Sequence, residues 1–376
     1  MRKPLRLGID TRDLRTAISG QKTYLEELVR AFKNRQKADI ELVLLDTRVP
    51  AYLGNHRYLR LAEHLNLHFW KQVVLPLKAW WRRCDVLFTT DYHVPFFRPG
   101  FKTVTVFHDA FFFEDPEHYS PLFLKFFHRV TVPAAKKCSH IVVPSIHVQK
   151  KLEQWLQLPA QKLVPVYEAP KSIPKSSFSP EEITRKLTDW GIRQHPYILH
   201  VGMLNKRKNI PLLIGAFNQV ASRFPDMRLV LAGSLNDKEH INDREQILAA
   251  IRLSPFTQRI VLTGYVPDAD LSLLYGHASL YVFPSLNEGF GIPVLEAFAH
   301  GVPVLVADNS CLPEIGGDAV LTFNPKDTDA LADQISTVLS NPALAEKMKQ
   351  AGKARLSHFS WQKAAGELAE LFRSIA

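Results

Sequence analysis

The stretch PSLNEGFGIPVLEAFAHG, residues 284–301, decides how the fold of the whole chain is interpreted. The strand-forming residues LYVF precede it at 280–283, and a helical pattern begins at Ile292-Pro293 and ends near His300-Gly301. Proline suits the first helical position because its missing N–H would have no partner there, and glycine suits the exit from a helix. The stretch therefore predicts a strand, a glycine-rich loop and a helix in immediate succession.

Two carboxylates bracket this loop with seven residues between them, Glu288 on the loop and Glu296 in about the first turn of the helix. Backbone N–H groups at the positive end of a helix attract anions, most commonly phosphates. The pattern predicts an anion-binding site, and its alternative is a plain helix start with an N-terminal glutamate. The N–H groups expected to point into the gap are those of Gly289, Phe290 and Gly291.

The length and composition of the chain indicate a globular protein of two domains. At 376 residues the chain exceeds one typical core. Its 46% hydrophobic and 22% charged residues are usual for soluble globular proteins. The basic start MRKPLRLGID lacks an apolar signal segment, and no apolar run approaches the ~20 residues that span a bilayer. We therefore expect a cytoplasmic protein whose cysteines, Cys84, Cys138 and Cys311, are buried free thiols.

The net charge of +10 is unevenly distributed along the chain. Residues 1–170 contain 26 lysines and arginines against 16 aspartates and glutamates, whereas residues 171–376 contain 21 of each kind. A basic half suits nucleic acid, an anionic membrane or a phosphate-bearing substrate, and its alternative is solvated surface charge.

Short runs rich in valine, isoleucine and leucine alternate with helical patterns along the chain. Such alternation is typical of buried parallel sheets covered by helices. Six runs in each half predict an α/β protein of two Rossmann-like, doubly wound parallel-sheet domains. The predicted strands cover 5–9, 40–45, 86–90, 103–107, 141–144 and 164–167, then 197–201, 228–232, 260–263, 280–283, 303–307 and 320–323.

A proline- and serine-rich segment, EAPKSIPKSSFSP at 168–180, separates the two halves and is predicted to be a linker. We predict an N-terminal domain over residues 1–170 and a C-terminal domain over residues 171–357. A last helix over 361–375, with Ser360 as its N-cap, belongs to a segment 358–376 that we expect to pack on the N-terminal domain.

Residues just after strands are candidate ligand contacts, because parallel sheets bind ligands outside the carboxyl ends of their strands. His108 follows a strand and is able to hydrogen-bond a substrate, with a purely structural histidine as the alternative. Arg207 and Lys208 precede a helix and would clamp a phosphate, unless they form a solvated charged turn. Further candidates at strand ends are Gly20, Asp109, Gly202, Gly264, Tyr265 and Val266.

The order of these motifs resembles that of the retaining glycosyltransferases of family 4, which have the GT-B fold of two Rossmann-like domains facing a cleft. The motifs are VGMLNKRKN, LAGS, TGYVPDADL and PSLNEGFGIPVLEA, and CLPEIGGDAVLTFNPKD continues the similarity. The resemblance covers nearly the whole chain and is strongest over 197–323. It implies that the domain 1–170 binds the acceptor and that the domain 171–357 binds the nucleotide-sugar. WKQVVLP, CDVLF and HFSW are similar to segments of members that build bacterial surface polysaccharides.

The resemblance implies which residues bind the nucleotide part of a nucleotide-sugar donor. Arg207 and Lys208 would neutralise the diphosphate, which is the leaving group. Glu296 would accept hydrogen bonds from the ribose hydroxyls, and Gly20 would let a backbone loop approach the phosphates. Residues 264–266 would lie against the nucleobase through main-chain contacts.

The resemblance also implies that Glu288 holds the transferred sugar together with the backbone N–H groups of Phe290 and Gly291. His108 would contact that sugar from the other domain. Two departures from the family pattern limit this transfer of roles. Met203 stands where many members carry arginine, so Arg207 and Lys208 alone would form the clamp, and a one-to-one transfer of a family role to Arg207 is weakened. In addition, YEAPK at 167–171 replaces the family's more usual Asn-Gly segment, so no donor contact is assigned there.

The family's reaction retains the anomeric configuration without a side-chain nucleophile, and the leaving phosphate takes the proton of the acceptor hydroxyl. The protein then contributes positioning and charge stabilisation. Helix ends and cations take the place of a divalent ion, so we expect neither a metal ion nor a cofactor. The KRKN motif at 206–209 is similar to one in mannosyltransferases and favours GDP-mannose as the donor, with a saccharide or lipid-linked saccharide as the acceptor.

Three other functions are alternatives to the glycosyltransferase function. A sugar-nucleotide epimerase would need acid and base carboxylates across the cleft, to which the pair of glutamates seven residues apart does not correspond. An NAD-dependent oxidoreductase is disfavoured because no G-x-G-x-x-G follows the first strand. A non-catalytic nucleotide-sugar-binding protein is the remaining alternative, and we expect no nucleic acid partner.

Two aromatic stretches in the basic half suit the surface of an anionic membrane. They are HLNLHFWKQVVLPLKAWWRR at 64–83 and SPLFLKFFHRV at 120–130. The hypothesis is peripheral docking on the inner face of the membrane. Its alternative is a helix whose tryptophans and leucines face the core while its cations face water.

Overall fold

The computed structural model describes residues 3–15, 20–35, 39–47, 49–52, 54, 56–172, 178–235 and 243–376, and it divides the chain into two units. Unit 1 comprises Met1–Glu168 and Ser360–Ala376, and unit 2 comprises Ala169–Phe359. Residues 173–177 of the expected linker lie outside the described part of the chain, as do residues 16–19 before Gly20.

Unit 1 is built on a six-stranded sheet in which all neighbouring strands are parallel. Its strands are β1 (Leu5–Asp10), β2 (Ile40–Leu45), β3 (Val86–Thr89), β4 (Lys102–Val106), β5 (His140–Val143) and β6 (Leu163–Pro165). They lie in the order β2-β1-β3-β4-β5-β6, so the order reverses between β1 and β3. Doubly wound sheets bind ligands beyond the carboxyl ends of their strands at such a reversal.

The helices of unit 1 include two interruptions by π-helical turns, Trp70–Val74 and Phe127–Thr131. A proline follows each turn (Pro76 and Pro133), and its missing N–H interrupts the regular hydrogen-bond ladder there. The α-helices are α1 (Gly20–Lys33), α2 (Arg57–Phe69), α3 (Leu75–Trp81), α4 (Phe111–Glu114), α5 (Pro121–Phe126), α6 (Val132–Lys136) and α7 (Ile146–Leu156), and 3₁₀ turns cover Arg12–Arg15, Pro116–His118 and Ala160–Lys162.

The C-terminal helix, Trp361–Ile375, completes the core of unit 1. Ser360 caps it as predicted, because its Oγ accepts a hydrogen bond of 3.1 Å from the N–H of Lys363. Phe372 is fully buried and packs on Phe32 and Phe88, with ring centroids 6.3 and 5.2 Å apart. The last helix therefore supplies apolar surface that α1 and β3 need for burial.

Unit 2 repeats the architecture with a second parallel six-stranded sheet. Its strands are β7 (Tyr197–Val201), β8 (Arg228–Ala232), β9 (Ile260–Gly264), β10 (Leu280–Phe283), β11 (Val304–Ala307) and β12 (Val320–Phe323). They lie in the order β12-β11-β10-β7-β8-β9, which reverses between β10 and β7. The helices are α8 (Pro180–Asp189), α9 (Ile210–Val220), α10 (Arg244–Leu253), α11 (Asp268–His277), α12 (Ile292–Ala299), α13 (Leu312–Gly316), α14 (Thr328–Leu339) and α15 (Pro342–Leu356), with 3₁₀ turns at Lys206–Lys208, Thr257–Arg259 and Gly317–Ala319.

The predicted α/β class is confirmed, and each of the twelve predicted strands is present with its ends within two residues of the prediction. The central strands were identifiable because every residue of β7, β10 and β11 is buried, which requires an apolar run rather than an alternating one. The three cysteines are buried free thiols, as predicted. Glu296 is the fifth residue of α12 and so begins its second turn. None of the helices in the described part of the chain combines the length and apolarity that a membrane span needs.

The burial of Phe372 predicts a large loss of stability when its ring is removed. Phe372→Ala should lower the free energy of unfolding by about 3–5 kcal/mol, since the substitution removes a buried ring and leaves a cavity. Ser374→Ala, on the exposed side of the same helix, is the control and should change stability little. Denaturant unfolding followed by tryptophan fluorescence measures both, and equal stabilities of the two variants would contradict the described packing.

Candidate functional site

The reversal in the strand order of unit 2 brings two loops together. The loop after β7 contains Gly202 and the 3₁₀ turn Lys206–Lys208, and the loop after β10 contains Glu288. A backbone hydrogen bond of 2.8 Å from the N–H of Leu286 to the carbonyl of Arg207 joins the two loops. Residues 80 positions apart in the sequence are therefore neighbours at the carboxyl ends of the central strands.

Glu288 forms ion pairs with two cations across this junction. Its Oε1 lies 2.5 Å from Lys208 Nζ, and its Oε2 lies 2.9 Å from Arg207 Nη1. Arg207 also donates to the carbonyl of Asn287 at 3.0 Å, and the Lys208 ammonium lies 4.5 Å from the centroid of the Phe283 ring. Glu288 and Lys208 are both buried, so the pair is held with little exposure to water.

The charges in this cluster favour an anionic ligand. Burial alone would raise the pKa of Glu288, but Arg207 and Lys208 outweigh it and lower the pKa to about 2. The carboxylate is therefore ionised at neutral pH, and the cluster carries two positive charges against one negative charge. Losing one partner of a buried pair typically costs about 3–5 kcal/mol, so Glu288 also keeps the two cations compensated while no anion is bound.

Two glycines allow the loops after β7 and β8 to meet. A Cβ on Gly233 (φ +156°) would lie 1.8 Å from the carbonyl oxygen of Gly202, so no larger residue fits there without a backbone shift. A Cβ on Gly202 would face Lys208 Cε at 3.5 Å and His200 Nε2 at 3.8 Å. The backbone at Gly202 therefore packs closely against the side chain of Lys208, which pairs with Glu288.

A buried cysteine contacts the backbone of the loop before α12. Gly291, at the N-terminal boundary of α12, has φ +100°, a conformation that favours glycine. The buried Sγ of Cys311 lies 3.2 and 3.1 Å from the carbonyl oxygens of Glu288 and Phe290. These contacts fix the segment that includes Gly289, where the sequence predicted an anion site.

Glu296 lies in a separate, mostly apolar setting. Tyr275 donates a hydrogen bond of 3.1 Å to its Oε2, whereas Oε1 has no partner among the described residues. Burial raises the pKa of Glu296 to about 7, and the hydrogen bond from Tyr275 offsets only part of that effect. A carboxylate in this state gains from a ligand whose hydroxyls donate to its free oxygen.

The segment after β9 lies at the edge of the same sheet. Gly264 has φ +68°, with open space where a Cβ would be, and its carbonyl accepts a hydrogen bond of 2.9 Å from the N–H of Gly233. Tyr265 is 78% exposed, whereas Val266 is buried. This exposed backbone beside the glycine loop is where the resemblance implies a nucleobase.

In unit 1, His108 follows β4 and uses both ring nitrogens within the protein. Nδ1 lies 3.2 Å from Glu168 Oε1, and Nε2 lies 3.0 Å from the carbonyl of Thr90. Burial lowers the pKa of His108, but the carboxylate of Glu168 and the Thr90 carbonyl outweigh it and raise the pKa above its usual value. The edge of the Tyr24 ring packs on His108, with centroids 4.9 Å apart.

The other two candidates of unit 1 occupy helix starts. Asp109 accepts a hydrogen bond of 3.1 Å from the N–H of Phe111 and so begins α4. Gly20 is the first residue of α1, and a Cβ there would meet nothing within 4 Å. The roles of both residues in substrate binding stay predictions.

Among the described residues, one group of side chains is close enough together to hold a metal ion. It consists of Asp115, Glu117 and His118 in the turn after α4, whose ligand atoms lie within 4.8 Å of one another. The two aspartates in TGYVPDADL form ion pairs with lysines. Asp268 pairs with Lys171 at 2.5 Å, and Asp270 pairs with Lys186 at 3.0 Å.

The structure brings Arg207, Lys208 and Glu288 together in one ion-paired cluster, and it adds partners that sequence reasoning missed. Tyr275, Glu168 and Cys311 contact Glu296, His108 and the Glu288 loop respectively. The sequence offered one signal, the unusual YEAPK segment, which contains Glu168. Cys311 begins the quoted segment CLPEIGGDAVLTFNPKD, but neither Cys311 nor Tyr275 shows in the sequence that it contacts the site.

Two sequence families match the chain over separate segments. The family described as "Glycosyltransferase Family 4" matches residues 18–169, and the family described as "Glycosyl transferases group 1" matches residues 184–355. The first segment lies almost wholly in unit 1 and the second in unit 2.

Characterised relatives include two from Escherichia coli. The O-antigen chain mannosyltransferase B is 30% identical over 267 residues, which are 69% of this chain and 67% of the relative. The serotype-specific mannosyltransferase WbdA is 28% identical over 275 residues, which are 70% of this chain but 32% of the relative. The chain thus spans about two thirds of the first protein and about one third of the second.

Solved structures share the fold at low sequence identity. Sucrose-phosphate synthase from Thermosynechococcus elongatus superposes with a TM-score of 0.74 at 19% identity, covering 98% of each chain. The Anabaena protein HepE in complex with UDP-glucose superposes with a TM-score of 0.73 at 18% identity, covering 98% of this chain and all of the other. From the two family matches and the 30% identical relative, the chain belongs to the glycosyltransferases of group 1 and family 4, and it has their GT-B fold of two parallel six-stranded sheets.

Proposed function

We propose that the protein transfers a hexose, with retention of anomeric configuration, from a nucleotide-sugar to a saccharide or lipid-linked saccharide in the synthesis of a cell-surface polysaccharide. The observation that carries this proposal is the buried cluster of Arg207, Lys208 and Glu288 at the strand reversal of unit 2. Two cations at that position suit a diphosphate leaving group, which carries the charge that develops during transfer. Membership of the family makes a sugar-nucleotide epimerase the weaker alternative.

The cluster suggests how the donor activates the site. Glu288 pairs with both cations. The diphosphate of an incoming donor would replace it on Lys208 and Arg207, which releases the Glu288 carboxylate to accept hydrogen bonds from the hydroxyls of the transferred sugar. The two cations then exchange one anionic partner for another, and the sugar hydroxyls compensate the buried carboxylate through hydrogen bonds.

In the transfer step, the bond between the anomeric carbon and the phosphate oxygen breaks, and the acceptor oxygen bonds to that carbon on the same face. The acceptor's proton moves to the departing phosphate. The side chains position these groups and stabilise charge, and no metal ion or cofactor takes part. The backbone of Gly289, Phe290 and Gly291 would lie beside the sugar, and His108 and Gly20 would contribute from unit 1 as the family resemblance implies.

We propose GDP-mannose as the donor. Both relatives from Escherichia coli bear mannosyltransferase names, whereas the Anabaena structure contains UDP-glucose, so relatives differ in the donor they bind. Thermal-shift measurements with UDP-, GDP-, ADP- and dTDP-sugars test the assignment, since a ligand that binds the folded state raises its apparent stability. The largest shift should come from GDP-mannose, and stabilisation by another nucleotide-sugar alone would replace it as the donor.

The acceptor proposal places the protein in the cytoplasm, docked on the inner face of the membrane through unit 1. An apolar stripe of exposed side chains recurs at every fourth residue along α2, the π turn and α3, so that consecutive members adjoin on the helix surface. Exposed Arg82 and Arg83 follow it, and the Arg82 guanidinium lies 5.7 Å from the Trp81 ring centroid. The stripe consists of Leu61, Leu65, Phe69, Val73, Leu77 and Trp81.

This stripe supports membrane docking over the alternative interpretation of the aromatic, basic stretch. Trp80 and Trp81 are 57% and 75% exposed, whereas Lys71 is fully buried. The alternative, in which tryptophans and leucines face the core and cations face water, describes Trp70 and Leu75 but not the stripe. An exposed apolar stripe beside arginines suits an anionic bilayer, to which each basic residue near the surface adds about 1 kcal/mol.

Lys208→Ala should reduce the release of nucleoside diphosphate from GDP-mannose by about 10²–10³-fold, because it removes a charge that stabilises the leaving group. Lys206→Ala, an exposed lysine in the same turn, is the matched control and should behave like the wild type. Both rates should be unaffected by EDTA. Near-normal turnover in the Lys208 variant would place the clamp elsewhere, and a strict Mg²⁺ requirement would refute the metal-free mechanism.

Binding of the donor should release protons near pH 7. Ribose hydroxyls that donate to Glu296 favour its ionised form, so binding lowers a pKa that burial has raised to about 7. Affinity should therefore increase as the pH rises from 5 to 7 and level off above that range. Calorimetry of GDP-mannose in buffers of different ionisation enthalpy measures the released proton.

Glu296→Gln serves as the control for this prediction, since an amide at this position does not titrate. Its affinity should vary less with pH and its binding should release fewer protons than that of the wild type. Identical proton release by both proteins would exclude Glu296 as the ribose ligand.

Membrane docking predicts that sedimentation with vesicles increases with their anionic lipid content and decreases with salt. Leu65→Ser should weaken sedimentation, because Leu65 is 64% exposed within the stripe. Leu253→Ser is the matched control, since Leu253 is 83% exposed in unit 2. A wild-type protein that stays in the supernatant at low salt with strongly anionic vesicles would favour a soluble acceptor instead.

A further inference from the structure

A buried histidine of unit 2 lies in β7, two residues before the glycine that begins the loop of the cationic cluster. His200 is fully buried, and its Nδ1 lies 3.0 Å from the carbonyl oxygen of Val282 in β10. Because a carbonyl only accepts hydrogen bonds, the ring carries its proton on Nδ1. Burial lowers the pKa of His200 to about 4, so the ring is neutral at physiological pH and its Nε2 is an acceptor.

This acceptor is unused. His200 Nε2 is buried and has no hydrogen-bond partner among the described residues. Buried polar atoms in proteins are nearly always hydrogen-bonded, so an unused nitrogen in a protein interior indicates that its partner arrives in another state of the site.

The unused nitrogen lies close to the ammonium of Lys208. A Cβ on Gly202 would lie 3.8 Å from His200 Nε2 and also 3.8 Å from Lys208 Nζ, so both atoms border the same region. Glycine leaves that region without a side chain. Phe283 also connects the two residues, since its ring stacks on His200 at a centroid distance of 5.9 Å and lies 4.5 Å from the Lys208 ammonium.

Lys208 has donors to match this acceptor. An ammonium has three N–H groups, and among the described residues Lys208 Nζ has one hydrogen-bond partner, Glu288 Oε1. In the proposed activation, the diphosphate displaces Glu288 while burial continues to lower the pKa of Lys208. A further buried acceptor would then help to keep the lysine charged. A neutral imidazole suits this role, since it adds no negative charge that would repel the diphosphate.

We infer that His200 is a positioning residue for transfer, whose Nε2 accepts a hydrogen bond from the Lys208 ammonium once the diphosphate has taken the place of Glu288. Rotation about the last side-chain bond of Lys208 brings one N–H group to His200 and leaves the others for phosphate oxygens. His200 thereby holds the cation at the leaving group without touching the substrate. The inference rests on the proposed transferase function and deepens it.

Two substitutions distinguish the two nitrogens of His200. In His200→Asn the amide takes the place of Nδ1, so the donor to Val282 remains and the acceptor at Nε2 is lost. In His200→Gln the amide reaches the place of Nε2, and its oxygen supplies an acceptor there. Release of nucleoside diphosphate from GDP-mannose should be about tenfold slower in His200→Asn but within about threefold of the wild type in His200→Gln. Equal losses, or a larger loss in His200→Gln, would overturn the inference.

A double-mutant cycle measures whether His200 acts through Lys208. His200→Asn should slow the wild type about tenfold but change the rate of the Lys208→Ala variant by less than about twofold, because the group that it positions is already absent. Equal effects in both backgrounds would show a merely structural role and contradict the inference.

His277→Asn is the matched control for these variants. The Nδ1 of His277 also lies 3.0 Å from a backbone carbonyl, that of Leu273, but the residue is exposed at the end of α11. This variant should release nucleoside diphosphate at the rate of the wild type.

A measurement on the wild type does not depend on the folding of any variant. The ¹⁵N resonance of an unprotonated Nε2 moves upfield when its lone pair accepts a hydrogen bond. Addition of GDP, or of the nucleoside diphosphate of whichever donor the thermal-shift panel selects, should shift Nε2 of His200 upfield and leave Nδ1 nearly unchanged. An unchanged Nε2 in a protein that binds the nucleotide would overturn the inference and leave the proposed function standing. If no nucleotide or nucleotide-sugar binds, the proposed function fails and this inference fails with it.

Discussion

A buried charge is stable in a protein only when it has a partner, and both units obey this constraint at the same topological position. In unit 2, the single carboxylate of Glu288 lies between two cations, Arg207 and Lys208. In unit 1, the single ammonium of Lys71 lies among three carboxylates. The two reversals are thus built with opposite excess charge on the same type of sheet. The excess positive charge of unit 2 suits the anionic diphosphate that we propose as its ligand, whereas the excess negative charge of unit 1 does not suit an anion.

The helix α2, its π turn and α3 connect the exposed stripe of unit 1 with its buried charges. Exposed Leu65 and Phe69 lie on one face, whereas Lys71, two residues after Phe69, lies on the opposite face. The first face suits a bilayer, and the second brings the ammonium of Lys71 to the carboxylates at the strand reversal.

The sequence predicted those features that local patterns encode. Fully buried parallel strands require uninterrupted apolar runs, so β7 and β10 were identifiable without a structure. Glycine and proline marked the loop before α12, and Arg207 and Lys208 were found because they precede a helix in the loop after a strand. The contacts between distant segments were not predicted. Lys71 was interpreted as a surface cation of an amphipathic stretch, since nothing in its neighbourhood reveals that three aspartates from two strand ends surround it.

The state of His108 bears on which group accepts the proton during transfer. Its two ring nitrogens face the carboxylate of Glu168 and the carbonyl of Thr90, so both are engaged within the protein. Burial lowers the pKa of His108, but these two acceptors outweigh it and raise the pKa above its usual value, which favours the protonated ring. An imidazole whose two nitrogens are both engaged offers no free lone pair to take a proton from an acceptor hydroxyl. In the proposed mechanism the departing phosphate is the base, since the contacts of His108 with Glu168 and Thr90 leave it unsuited to that role.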